Sequence, residues 1–170
     1  GEGAPGGIVG GSVRFWRRAP LSARFDAVPM DLTGTLPAPD HVEDTGAAVT
    51  ALCASPADPE LFAYGTATGN AGLVRLDGAT ARVVPLVAPD AVARLGSLAN
   101  VAHPYEVCAL AFTADGRRLV SAGRARGPEG ELRVWSVPDG RHLGRVAHDD
   151  PRPAGIVVSP DGRALVIGTT

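Results

Sequence analysis

Three stretches of this chain are variations on one hairpin: "VTALCASPADPELFAYGT" from Val49, "VCALAFTADGRRLVSAG" from Val107 and "PAGIVVSPDGRALVIGTT" from Pro153. Each is an apolar run, a turn, and a second apolar run that ends in Gly, Ser or Thr. The turn is built on Asp-Gly or Pro-Asp-Gly, with Ala-Asp-Pro-Glu in the copy from Val49. Apolar β-prone runs joined by such turns read as β-hairpins. A further element recurs as "GSVRFW" at 11 to 16, "GLVRLD" at 72 to 77 and "GELRVW" at 130 to 135. Its closing residues Trp16, Leu76 and Trp135 stand 60 and 59 positions apart, and the first runs start 58 and 46 positions apart. Self-similarity at such a period marks a repeat architecture.

After each of these elements comes one more β-prone stretch, at 22 to 32, 80 to 88 and 141 to 148. The pattern predicts four antiparallel strands per repeat in an all-β chain. One short helix is expected within "PDAVARLGSL" at 89 to 98, opening on proline. Runs such as "CALAF" and "ALVIGTT" carry almost no polar side chains, as suits strands covered on both faces by neighbouring sheets.

The stretch from "HPYEVCALAF" at 103 to "ELRVWSVPDGR" at 141 resembles a WD40 repeat, a family whose four-stranded units form the blades of a β-propeller. The resemblance implies that His103, Ser121 and Trp135 belong to a structural hydrogen-bonded set. Glu129 stands where the family has Asp, and Ser136 replaces the Asp that follows Trp. In the repeat from Val49, Thr45 stands at the His position and Asn70 at the Asp position.

The strand count gives about three blade-equivalents: half, one, one, half. Residues 1 to 32 read as the outer two strands of a blade, 33 to 48 as a loop and 49 to 88 as a whole blade. Residues 89 to 102 read as a loop or short helix, 103 to 148 as the WD40-like blade, and 149 to 170 as the inner two strands of a further one. Propellers close with four to eight blades, because closure is what protects strand edges. Three blade-equivalents are therefore expected to be part of a longer protein or to be completed by a second copy.

Composition narrows the partners. At 170 residues with a net charge of -2 the chain has no basic cluster to neutralise phosphates, so neither nucleic acid nor an anionic membrane is expected as partner. No apolar run reaches the roughly 18 residues of a membrane helix, and "GEGAPGGIVGG" lacks a signal-peptide pattern, so the expected setting is cytoplasmic. Cys53 and Cys108 fall at opposite parity in matching strands, which predicts two free thiols.

In an up-and-down blade, the turns between first and second and between third and fourth strands share one face of the disc. Here they are tight, whereas the opposite set is long: 33 to 47, 89 to 103, 124 to 130 and 148 to 154. Insertions confined to one face mark a binding face. The candidate residues there are His41, Arg94, Arg124, Arg126, Asp149, Asp150 and Arg152. What the resemblance implies is a non-catalytic platform for a protein partner, with no cofactor and no metal. The alternatives are the propeller part of a hydrolase-like enzyme or a propeller that binds a small ligand. Against an enzyme, neither G-x-S-x-G nor a phosphate-binding glycine loop occurs. The pair Ser121 and His103 occupies structural positions of the repeat.

Overall fold

A computed structural model describes residues 12–15, 41–77, 80–95, 101–124, 130–149 and 152–170. Strands β1 (Ser12–Phe15) and β2 (His41–Asp44) pair antiparallel. Next come β3 (Val49–Ala54), β4 (Leu61–Thr66), β5 (Ala71–Asp77) and β6 (Thr80–Pro85), four neighbours in chain order in one antiparallel sheet. Helix α1 (Pro89–Leu95) leads to β7 (Val107–Phe112), β8 (Arg118–Gly123), β9 (Gly130–Ser136) and β10 (His142–His148), a second sheet of the same order. The hairpin of β11 (Pro153–Val158) and β12 (Leu165–Thr169) follows.

Two whole four-stranded blades therefore stand between two strand pairs. The sheets meet through their first strands, β3 against β7 and β7 against β11, while β6 and β10 form the more exposed outer edges. The tight turns form as their residues dictate. Asp115 takes the Arg117 amide and the Thr113 hydroxyl on one carboxylate oxygen, and Gly116 follows it at φ 66°. Gly162 repeats that geometry at φ 69°, where glycine avoids the Cβ clash other residues meet.

Three apolar layers fill the spaces between sheets. The largest lies between the two whole blades and includes Leu73, Leu110, Phe112, Leu119 and Trp135. A second joins Val13 of β1 to Tyr64, Val74 and Leu76, and a third joins Ala109, Val120, Ala122 and Leu132 to Ile156 of β11.

Two differences from the sequence reading stand out. Strand β2 lies inside the stretch 33 to 48 that was expected to be loop, and His41 is consequently a strand residue paired with Phe15, not a loop residue. An outermost strand needs little apolar surface, so the short, charged "HVED" serves, and charge on an edge strand discourages unwanted pairing. The strand expected at 22 to 32 lies outside the described residues. The second difference concerns the 89 to 102 connection. Leu86, Ala88, Ala91, Val101 and Ala102 are at most 2% exposed, so the described part of this insertion is wedged into the core between blades. Val87 also forms a parallel bridge with Arg141 beside the β9–β10 turn. Small apolar side chains let the backbone of an insertion pack this closely.

Candidate functional site

Strand β8 carries Ser121 and strand β9 carries Trp135 on the face toward the preceding blade, and His103 reaches them from the connection before β7. Trp135 Nε1 donates to Ser121 Oγ at 2.8 Å, and His103 Nε2 is hydrogen-bonded to the same oxygen at 2.7 Å. All three side chains are fully buried. Burial lowers the His103 pKa to about 3, with the nearby Arg133 charge acting in the same direction, so the imidazole is neutral. The ring fits because position 123 is glycine: a Cβ there would lie 2.2 Å from His103 Nδ1. This Ser and His lie in contact, yet the hydroxyl is engaged by the indole and neither group meets solvent. The geometry is that of an internal brace, with no route for a substrate to the hydroxyl.

Beside it lies a charged cluster that the sequence reading missed. Arg133 has the same strand parity as Trp135, so it must share that face, and it is fully buried. Its guanidinium forms a two-pronged pair with Asp90 of α1 at 2.6 and 2.8 Å, a second ion pair with Glu131, and a contact with His142 Nε2 at 3.4 Å. Arg145 on β10 approaches Asp90 at 3.8 Å and Glu131 at 4.0 Å. The hydrogen bonds from Arg133 hold the Asp90 carboxyl well below the usual carboxylate range. His142, tilted against the Trp135 ring at 5.0 Å between centroids, is shifted down by burial and by Arg133. Bidentate Arg–carboxylate pairs are strong and directional. This one locks α1 onto the second blade.

The residues singled out for the long-loop face are distributed unevenly. Arg124 is exposed just after β8; its side chain pairs with Glu106 at 3.1 Å and its amide donates to the Glu106 carbonyl, which joins two connections at one end of the sheet. Asp149 and Arg152 are exposed in the connection from β10 to β11, at the same end by strand direction. Arg94 lies in α1, on the insertion that is packed into the core. His41 lies in β2. Arg126, Glu129 and Asp150 lie outside the described residues.

Both cysteines are free and half-buried. Desolvation pushes the Cys53 thiol up to about 12, which removes thiolate reactivity near neutral pH. Among the described residues, no three His, Cys, Asp or Glu side chains gather as a metal site. No helix among them is long and apolar enough to cross a membrane.

Sheets of four antiparallel strands in chain order, meeting through their first strands, define a partial β-propeller. The second blade is braced by the hydrogen-bonded set of His103, Ser121 and Trp135. No family model and no curated protein matches the sequence. Among solved structures, the chain is similar to the β-propeller domain of Cps50 (Swd1) from Myceliophteria thermophila, with a TM-score of 0.60 at 16% identity. That likeness covers 75% of this chain but only 38% of that one.

Proposed function

We propose that this partial propeller is a non-catalytic platform that binds a protein partner through the face bearing its long connections. The observation that carries the reading is the contrast between the two polar groupings. His103 and Ser121 are sealed inside the blade, whereas Arg124, Asp149 and Arg152 stand exposed at one end of it. Arg126 and Asp150 extend that charged rim in the sequence. His41 lies in strand β2 and Arg94 in helix α1. Mixed positive and negative side chains suit a polar protein surface better than a phosphate backbone or an anionic bilayer, both of which select for basic clusters. A cytoplasmic setting is part of the same proposal.

The test is to capture partners by cross-linking, identify one, and measure its affinity for the unaltered chain and for Arg124→Ala/Arg126→Ala. The reading expects a loss on the order of tenfold or more, since arginine is enriched among interface residues of large effect. An unchanged affinity would place the partner elsewhere and sink this assignment.

A further inference from the structure

The sequence holds four Asp-Gly pairs, beginning at Asp77, Asp115, Asp139 and Asp161, and each stands between two strands that pair with one another. An Asp-Gly pair is where a chain most easily rearranges its own backbone, because glycine puts no side chain in the way of its amide nitrogen. That nitrogen bonds to the aspartate Cγ, the protonated carboxyl and the amide proton leave together as water, and a cyclic imide forms. Water then adds back to one of the two imide carbonyls. Addition at Cγ restores aspartate; addition at the α-carbonyl gives isoaspartate, whose chain runs through the former side chain and whose α-carboxyl is free. One water is lost and one regained, so the product is an isomer and no oxidant or reductant takes part. The step requires an unengaged carboxyl and a following amide that can give up its proton.

Three of the four pairs deny both requirements. Asp115 Oδ1 accepts the Thr113 hydroxyl at 2.6 Å and the Arg117 amide at 3.0 Å, while the Gly116 amide donates to the Thr113 carbonyl at 2.8 Å. Asp161 is held in the same way by the Ser159 hydroxyl and the Arg163 amide, and the Gly162 amide donates to the Ser159 carbonyl. Asp139 accepts the Arg141 amide at 3.3 Å, and the Gly140 amide donates to the Ser136 carbonyl at 2.8 Å. Hydrogen bonds from the hydroxyls of Thr113, Ser136 and Ser159, then from the backbone, hold these carboxyls below the usual carboxylate range. An ionised carboxylate expels no water, and a glycine amide already donating is a poor nucleophile.

Asp77 is different. Arg75 stands two places before it, where Asp115 and Asp161 have a hydroxyl residue, and the Arg75 side chain is turned to Asp58. Asp77 is exposed, and among the described residues no hydrogen bond or ion pair reaches its carboxyl. What it receives is on the backbone: the Thr80 hydroxyl donates to the Asp77 carbonyl oxygen at 2.8 Å. That oxygen belongs to the same amide whose nitrogen must attack. A donor placed where negative charge develops stabilises the anion left when the amide gives up its proton, so Thr80 promotes the step that the other turns suppress.

We propose that Asp77 is a site of isoaspartate formation, promoted by the Thr80 hydroxyl, and that the folded chain spares Asp115, Asp139 and Asp161. Asp77 pairs with Thr80 where β5 meets β6, so an extra backbone carbon there loosens the outer strand of the first blade. This turn joins a third to a fourth strand and lies on the face opposite the long connections, so the inference does not depend on the partner-binding reading.

The test is to hold the folded 170-residue chain at neutral pH and follow isoaspartate with time. Transfer of a labelled methyl group from S-adenosylmethionine by an isoaspartate-specific carboxyl methyltransferase counts the freed α-carboxyls, and peptide mapping with electron-transfer fragmentation locates them. The expected result is a rate at Asp77 several-fold above that at each of the other three sites. No isoaspartate at Asp77, or an even spread over the four, overturns the proposal. In urea the four rates should converge; a lead for Asp77 that persists there would assign the preference to local sequence and overturn the role given to the fold. Thr80→Val keeps a β-branched residue on an exposed strand position, so its urea midpoint should match that of the unaltered chain while the rate at Asp77 falls several-fold. An unchanged rate in that variant removes Thr80 from the mechanism.

Discussion

The two whole blades have the same backbone frame and are held together by different chemistry. Where β7 and β8 pair Leu110 with Ser121, β3 and β4 pair Leu52 with Tyr64. The Trp135 place on the third strand is taken by Val74, which pairs with Phe62 as Trp135 pairs with Leu119, and the His103 place by Thr45, whose hydroxyl donates to the nearby Ala47 carbonyl at 2.7 Å. The second blade thus has a hydrogen-bonded brace. The first has an apolar layer of Tyr64, Val74, Leu76 and Val13. Each choice requires its own glycine. Gly123 makes room for the His103 ring, and Gly72 makes room for Tyr64, whose Cε1 would lie 2.7 Å from a Cβ at that position. Four-stranded propeller geometry is set by the turns and by the covered faces, and the polar brace is one of several ways to fill the space.

That comparison breaks most sharply at the third strands. Trp135→Ala removes a fully buried indole and leaves Ser121 and His103 without it, which is expected to cost about 3–5 kcal/mol. Leu76→Ala, in the apolar layer that fills the corresponding space of the first blade, should cost less, toward the lower part of the roughly 2–5 kcal/mol range for aliphatic truncations. Urea unfolding of both variants checks the ranking, and a costlier Leu76→Ala would refute the view that the second blade depends on its brace. Arg133→Met comes next, at about 3 kcal/mol, because Glu131 and Asp90 keep their charge while losing the buried guanidinium. The first blade has Gly72 at that place and no such liability. Ser121→Ala should cost about 1–3 kcal/mol by stranding the indole N–H and the imidazole in a dry interior.

The parts of this design that could be read from the sequence are those written locally. Hairpins at 49, 107 and 153 follow from turn residues a few positions apart, and the third strands from the recurring Val-Arg or Leu-Arg motif. His103, Ser121 and Trp135 are also found by position within a single repeat. Strand β2 was missed because an edge strand with one apolar residue among four has no periodic signature, while 22 to 32 is richer in β-prone side chains. The Asp90 and Arg133 pair spans 43 positions and joins an insertion to a strand, so nothing local announces it. Its one legible trace is a charged residue at the inward parity of β9, two places before Trp135. The burial of Leu86, Ala88, Ala91, Val101 and Ala102 was likewise hidden, because alanine and valine among prolines read as loop until the neighbouring sheet is present.

Titration separates the two blades by a smaller effect. The folded-state pKa of His103 is lowered to about 3 from an unperturbed value near 6.5, so between those limits the unfolded chain binds more protons than the folded one. Stability therefore falls as pH drops through that window. The contribution is fully present above the unfolded pKa and fades toward pH 3. His142 is shifted in the same direction, and the lowered carboxylates Asp58, Asp90, Asp115, Asp139 and Asp161 act below about pH 5. Between about pH 5 and 6.5 the slope thus belongs mainly to histidines. His103→Gln should remove close to one proton from the uptake on unfolding in that range, measured from the pH dependence of the urea midpoint. The first blade, with Thr45 at the equivalent place, contributes nothing of this kind.

The smallest effect is expected at the exposed end of the second blade. Arg124 pairs with Glu106 where both side chains touch water, so the Coulomb gain is screened and offset by side-chain entropy. Arg124→Ala should shift stability by no more than about 0.5 kcal/mol in thermal or urea unfolding, while affinity for a captured partner falls. The two readouts must diverge if the braced interior serves stability and the rim serves recognition. A stability loss as large as that of Ser121→Ala would instead make Arg124 part of the blade's own scaffolding, and the division between sealed brace and open rim would fail at the residue chosen to mark it.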